Sequence, residues 1–335
     1  MAEFAPKPAY RILVNHKEMT GDFTPYLTSL TFEDNMTGQA DKLTIALEDS
    51  PPTPQHDGPG LWLTTWYPVK GSQIQAWLGY EGNMLECGKF EIDDIKIDDD
   101  GSGTRISLTC MASAPTKSVR TKKYASHKAK TLAEIAAAVA ATHGLTLKGE
   151  IPDVQFDCAY QMNETDLAFL QRMADTYGAV FTVKGDQLTF HKTESIQAAK
   201  QVLVIARKDV KSFSYSDKMT TQAVKAAHLD GDKGEVIKTE IKDEDGDTED
   251  AVTIHAPVES KAQQQVRVQM AAGKEKSKEK TATIAMEGNI KLLAGCNIEL
   301  QGFGVLDGIM HIEKATHTLN SSGYGVSIEC KGGWK

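Results

Sequence analysis

The sequence predicts a mainly β (α+β) protein in which two related β-barrel modules flank a small inserted α+β domain and a further β segment. Three observations predict it. Residues Gly88 to Cys110 (GKFEIDDIKIDDDGSGTRISLTC) return without a gap as Gly308 to Cys330 (GIMHIEKATHTLNSSGYGVSIEC), with six identities in 23 positions. The first 114 residues alternate apolar and polar side chains, the period of half-buried strands. From Thr131 the period lengthens to that of a helix, then shortens again beyond residue 200.

The repeat carries an irregularity that identities alone do not capture. Apolar alternation at Phe90 and Ile92 slips by one residue to Ile95 and Ile97, and Met310 and Ile312 slip likewise to Ala315 and His317. A phase slip flips side chains across a sheet unless an extra residue absorbs it, so both copies are expected to bulge, at Asp93-Asp94 and at Glu313-Lys314. Upstream, Gly71-Ser-Gln-Ile74 matches Gly295-Cys-Asn-Ile298 after a four-residue length change. The competing explanation is two unrelated hairpins that converged on one Gly-rich turn.

In chain order, residues 1–114 form the first β module, with strands at Ile12/Val14, Leu43/Ile45/Leu47, Ile74/Ala76/Leu78 and Ile106/Leu108/Cys110. Ser50 to Pro59 holds four prolines and reads as a long irregular loop. Lys117 to Lys130 carries six basic residues and no acid, a solvated linker into the inserted α+β domain of residues 115–200. There Thr131 and Glu134 make a capping box for a helix closed by Gly144. A second helix is expected to start at Asn163 as its cap, with Asp166 in its first turn, a staple of Met162 on Leu167, a stripe through Leu167, Leu170, Ala174 and Tyr177, and Gly178 as its stop. A hairpin over Ala179 to Val183 and Gln187 to Phe190 turns at Lys184-Gly185-Asp186. Residues 201–260 read as a β-rich connecting domain, including strands at Lys211 to Tyr215 and Gln222 to His228. The second module takes residues 261–335, opening with a helix over Lys261 to Ala272 and a charged connection to Lys280.

Composition excludes several classes. Hydrophobic content of 40% and charged content of 25% fit a soluble globular protein, and no apolar run reaches the length of a bilayer span, so no membrane insertion is expected. The N-terminus shows no apolar signal core, so synthesis in a cytoplasm is expected. The five cysteines form no CxxC pair and are expected as reduced, mostly buried thiols. A net charge of -9 argues against general affinity for a phosphate backbone, and Glu240 to Asp250 alone holds seven acids against one lysine.

No enzyme motif is present: there is no Walker A, GxSxG, HExxH or Cys/His metal spacing, and no cofactor is expected. Gly302-Phe-Gly304 with Gly308 misses the dinucleotide fingerprint by one residue. Asp98 to Gly103 and Asp243 to Asp250 lack the Gly and Glu of a calcium loop and read as hairpin tips. His311 and His317 are expected on opposite faces, as packed residues. Glu164 and Asp166 near Arg172 resemble a catalytic acid pair only superficially, because acids at a helix start have a structural role.

The segment Gln161 to Gly178, through Asn163, Glu164, Asp166, Leu170, Arg172 and Gly178, resembles the signature of the phage late control D family, the baseplate hub proteins of contractile tails. That family is related to the hub region of type VI secretion spike proteins. The closing run with Gly308, His317 and Gly323 is similar to the end of the same family. The resemblance implies a homotrimer in which each subunit supplies two tail-tube-like barrels, giving a pseudo-sixfold ring that adapts the tail tube to a central spike. Strand edges are then expected to pair between modules and close the ring. It implies tail tube, spike, tape-measure and other baseplate proteins as partners and a virion location after assembly in the host cytoplasm, and the acidic balance suits a lumen through which DNA or the tape-measure protein passes without specific binding. At 335 residues a separate spike protein is expected. The alternative is a tail-associated peptidoglycan-hydrolysing or peptidoglycan-binding protein, the latter centred on Thr131 to Gly178.

Overall fold

A computed structural model describes residues 6–36, 39–48, 67–99, 104–112, 121–219, 221–230, 235–242, 248–254, 260–277 and 279–332. The loop expected at Ser50 to Pro59, the tip at 100–103 and residues 243–247 of the acidic run lie outside them.

The first module contains β1 (Pro8–Val14), β2 (Lys17–Glu18), the single turn α1 (Thr20–Phe23), β3 (Leu27–Asn35), β4 (Lys42–Glu48), β5 (Gln73–Tyr80), β6 (Asn83–Asp99) and β7 (Thr104–Ala112). Alternation does what it should. Leu43, Ile45 and Leu47 on β4 and Ile106, Leu108 and Cys110 on β7 point into one core with Ile12, Phe32, Ile74 and Phe90, while their neighbours face outward. Each such Leu or Ile contributes about 1.5–3 kcal/mol of burial, which fixes the register of every strand carrying them.

The insertion contains β8 (Lys123–Thr131), α2 (Leu132–His143), β9 (Thr146–Gly149), β10 (Gln155–Glu164), α3 (Asp166–Tyr177), β11 (Ala179–Lys184), β12 (Gln187–Lys192) and α4 (Thr193–Gln197). β8 and β10 form a two-stranded ribbon, and β11, β12 and β9 a three-stranded sheet. The capping box holds: the Thr131 hydroxyl accepts from Glu134 N, the Glu134 carboxylate accepts from Thr131 N at 2.8 Å, and Gly144 ends α2 in the left-handed region. The basic stretch is a strand from Lys123 onward rather than a linker, because its backbone pairs with β10 while Lys128 and Lys130 stay exposed.

Then follow β13 (Leu203–Ala206), β14 (Val210–Asp217), β15 (Thr221–Asp230), β16 (Glu235–Lys242), β17 (Thr248–Ile254), α5 (Lys261–Ser277), β18 (Lys280–Glu287), β19 (Asn297–Gln301), β20 (Gly308–Asn320) and β21 (Gly323–Lys331). Two expectations need correction. β13 and β14 do not join the 201–260 segment: they pair with β19 and β18, and Ile205 and Val210 enter the second module's core. The helix expected to open the second module runs on to Ser277 and packs against β15, β16 and α3 instead. Lys274, Glu275 and Lys276 are good helix formers, so charge alone does not end a helix.

The two hairpins of the repeat match residue by residue. β6 pairs β7 with Ile92 opposite Cys110, then Asp94 opposite Thr109; β20 pairs β21 with Ile312 opposite Cys330, then Lys314 opposite Glu329. Asp93 and Glu313 are the extra residues, so the expected bulge is present at the same place in both. Upstream, Gly71 N donates to Ile92 O at 2.8 Å and Gly295 N to Ile312 O at 2.8 Å, each glycine at positive φ. The two modules meet edge to edge among the described residues. β20 pairs β3 from Lys314–Asn35 to Asn320–Ser29, fusing both into one sheet of 13 strands among the described residues.

Candidate functional site

Two constellations are built from the family-like residues: the start of α3 and the junction between modules. At the first, the structure corrects the cap. Thr165, extended at φ -73 and ψ 161, is the N-cap, and its hydroxyl accepts from Ala168 N at 3.1 Å. Asn163 sits instead in an irregularity of β10 at φ 52, a left-handed conformation that Asn tolerates better than most residues. Met162 is 70% exposed, so it staples nothing.

Asp166, the first residue of α3, is buried and accepts from His143 Nε2 at 2.8 Å, Lys123 Nζ at 2.8 Å and Gln161 Nε2 at 3.1 Å. Burial opposes its ionisation, but hydrogen bonds from Lys123, His143 and Gln161 outweigh that and hold its carboxyl below the usual range. It therefore ties β8, α2, β10 and α3 together through its carboxylate. Glu164 is held by the Arg172 fork, at 2.6 Å to Nη2 and 3.2 Å to Nε, and Arg172 also donates to Tyr160 O and lies over the Phe169 ring. Both acids are thus consumed by structural pairs. Leu170 is buried in the helix stripe, and Gly178 closes α3 at φ 79 with Met270 of α5 packed where a Cβ would stand.

A cleft of about 850 Å³ opens between α3 and the first module, lined by Asp41, Thr165, Arg172, Asp175, Lys184 and Lys274 among others. Asp175 in it faces Lys274, and neither Glu164 nor Asp166 lines it. Among the described residues no group of three His, Cys, Asp or Glu could hold a metal ion. No helix among them is long and apolar enough to cross a membrane.

At the junction, His317 of β20 is fully buried opposite Phe32 of β3, with the rings stacked at 6.2 Å. Its Nε2 donates to Leu292 O at 2.9 Å, so Nδ1 accepts from the Tyr324 hydroxyl at 2.7 Å. Burial lowers its pKa despite the carbonyl and Asp34, which leaves it neutral at physiological pH. His311 has separate partners, Asn297 and Met36, so the two histidines form no pair. Gly308 and Gly323 sit at φ 146 and 112, one at the start of β20 and one at the start of β21.

The sequence reading missed Asp34, the polar centre of this junction. It is fully buried on β3, where it receives Lys184 Nζ of the β11 hairpin at 2.6 Å and Ala294 N of the second module at 2.8 Å. One carboxylate therefore joins all three parts of the chain. Asp41 lies 3.8 Å from Lys184. Burial, opposed by Lys184 and reinforced by Asp34, pushes its carboxyl up to about 6. A signal existed: Leu30, Phe32 and Asp34 are successive inward positions of one strand, and an acid on a core face needs a partner.

Over 198 residues the chain is 29% identical to the probable baseplate hub protein of Escherichia phage 186, a match covering 57% of this chain and 47% of that protein. The chain thus spans about half the length of this curated relative. The tail protein of Neisseria meningitidis MC58 has a similar fold, with a TM-score of 0.72 at 13% identity over 97% of each chain. An E. coli type VI secretion component, itself described as similar to the T4 bacteriophage tail proteins gp27 and gp5, matches with a TM-score of 0.59 at 11% identity over 97% of this chain and 76% of that one. The model of the phage tail baseplate hub (GPD) family matches residues 101–323, from the first module's last strand to the hairpin of the second, and the chain belongs to that family.

Proposed function

We propose that this chain is a structural hub of a contractile tail baseplate or related injection device, assembling as a homotrimeric ring that joins the tail tube to a central spike. The observation that carries this reading is the duplicated module: two copies with one register, joined edge to edge through β20 and β3, supply two similar faces per subunit. Three such subunits present six modules, which fits a sixfold tube on one side and a threefold spike on the other. Glu164 is engaged by Arg172 and Asp166 by Lys123, His143 and Gln161, which supports a structural role for both. Tube, spike and tape-measure proteins are the partners this role requires, in the virion tail after assembly in the host cytoplasm. A net charge of -9 suits a lumen that DNA passes without adhering.

The test is native mass together with negative-stain imaging of the purified chain, alone and with its cognate spike protein. A threefold ring with a central opening is expected. A compact monomer that never assembles with the spike, or clearing of cell walls by the purified chain, overturns the reading.

A further inference from the structure

The junction inside the chain has a counterpart that the chain itself leaves open. Register maps each strand of one module onto the other. β3 pairs β4 with Leu27 opposite Leu47 and then, after a bulge, Ser29 opposite Ala46; β14 pairs β18 with Val210 opposite Met286 and then, after the same bulge, Ser212 opposite Ala285. β4 lies on β7 as β18 lies on β21, with Ile45 opposite Leu108 and Ile284 opposite Ile328. β14 is therefore the equivalent of β3, and β6 of β20.

In β20, the half beyond the bulge bonds β21 on one edge and β3 on the other. The same half of β6, Asp94 to Asp99, bonds β7 on one edge, while its pairing with β5 on the other ends at Glu91. β14 pairs only β18 and ends the sheet. Among the described residues, the chain thus carries one bare half-edge on β6 and one bare edge on β14, which in the other module form a finished joint.

Exposure says the same on the side chains. From 93 to 99 every position is more exposed than its counterpart from 313 to 319: Ile97 is 38% exposed where His317 is at 0%, and Ile95 is partly exposed where Ala315 is buried. On β14, Phe213 and Tyr215 are partly exposed where Leu30 and Phe32 are buried. Bare strand edges beside half-exposed apolar side chains are templates for a further strand.

Resting on the ring reading above, we infer that β6 of one copy bonds β14 of a second copy of this chain, antiparallel, in the register of the internal β20–β3 joint. Transferring that register places Asp94 opposite Lys218, Ile95 opposite Asp217, Lys96 opposite Ser216, Ile97 opposite Tyr215, Asp98 opposite Ser214 and Asp99 opposite Phe213. Ile95 and Ile97 then meet the side of Phe213 and Tyr215, and Asp94 meets Lys218 as an opposite-charge pair. The contact is heterologous, using different surfaces of the two copies, so it propagates around a ring without a further kind of joint.

Disulfide trapping tests the register. Met36 N donates to Glu313 O across the internal joint, which makes Glu33–Thr316 a pair that exchanges no hydrogen bonds, the closely spaced kind in antiparallel sheets. Its transferred equivalent is Lys96–Ser216, at a Cα separation of about 4.5 Å that a disulfide spans. Mixed K96C and S216C single variants of the full chain, oxidised together, are expected to give one covalent dimer, and K96C/S216C chains to give closed covalent multimers on non-reducing gels; each single variant alone stays uncrosslinked. I97K, on an exposed edge position, is expected to abolish assembly while leaving thermal unfolding nearly unchanged. If the chain forms rings by native mass yet K96C and S216C fail to crosslink, the register is wrong and the hub reading stands. If it stays monomeric alone and with the spike, both fall.

Discussion

Replacing Lys184 by methionine removes the cation from Asp34 while keeping most of the aliphatic stem. Asp34 is fully buried and its pair with Lys184 is 2.6 Å long, but the lysine side chain is 51% exposed. Breaking a fully buried pair costs about 3–5 kcal/mol, whereas an exposed pair is worth about 0–1 kcal/mol. One buried and one half-exposed member place K184M between these limits, at a loss of about 2–3 kcal/mol. The loss comes from stranding a carboxylate, so neutralising it should recover much of the stability. D34N keeps an oxygen for Ala294 N, and the D34N/K184M double variant should lose clearly less than the sum of the single variants. Urea midpoints of the three variants and the parent, followed by tryptophan fluorescence with a common slope, give the cycle. Additive losses, or a K184M loss below about 0.5 kcal/mol, would refute a charge-driven joint and leave Lys184 as a solvated side chain at a hairpin tip.

Asp41 has its carboxyl raised from 3.8 to about 6, so the folded state holds a proton that the unfolded chain has lost between those values. The Asp41 contribution to stability is fully present below pH 4 and is lost as pH rises through 6, by about 3 kcal/mol at most. D41N should therefore stabilise the protein at pH 7.5 and make no difference near pH 4; a destabilised D41N at pH 7.5 in thermal melts contradicts this. His127, His311 and His317 act oppositely, because burial lowers each pKa: their contribution is present above 6.5 and is lost as pH falls through the lowered values. H317F should cost about 1–3 kcal/mol by stranding Leu292 O and the Tyr324 hydroxyl, and should flatten the acid side of the stability profile. G178A should lose at least about 1 kcal/mol from its left-handed backbone, with M270A restoring part of the remainder by opening space for the new methyl. T131A removes the cap of α2 and should cost about 1 kcal/mol in the same melts.

What could be read from the residues was set by short-range rules. Thr131 and Glu134 cap a helix three residues apart, and Gly144 and Gly178 end helices because they alone lack the Cβ that the left-handed turn penalises. The phase slips after Ile92 and Ile312 located two bulges 220 residues apart, since alternation records which face of a sheet each side chain meets. The cap of the motif helix was not set by short-range rules: β10 keeps pairing through Glu164, which moves the helix start from Asn163 to Thr165.

The sequence by itself determined that this chain contains one β module twice, a helical insertion between the copies, and the residues that shape the motif helix. Tertiary structure alone decided that β13 and β14 complete the second module, that β20 bonds β3 across nearly the whole chain, and that Asp34 gathers Lys184 and Ala294 from distant segments. The physical reason is that alternation tells a strand which face is buried but not which edge it bonds. Backbone hydrogen bonds are the same for every residue, so the partner of an edge is settled only when distant cores pack and bring two edges together.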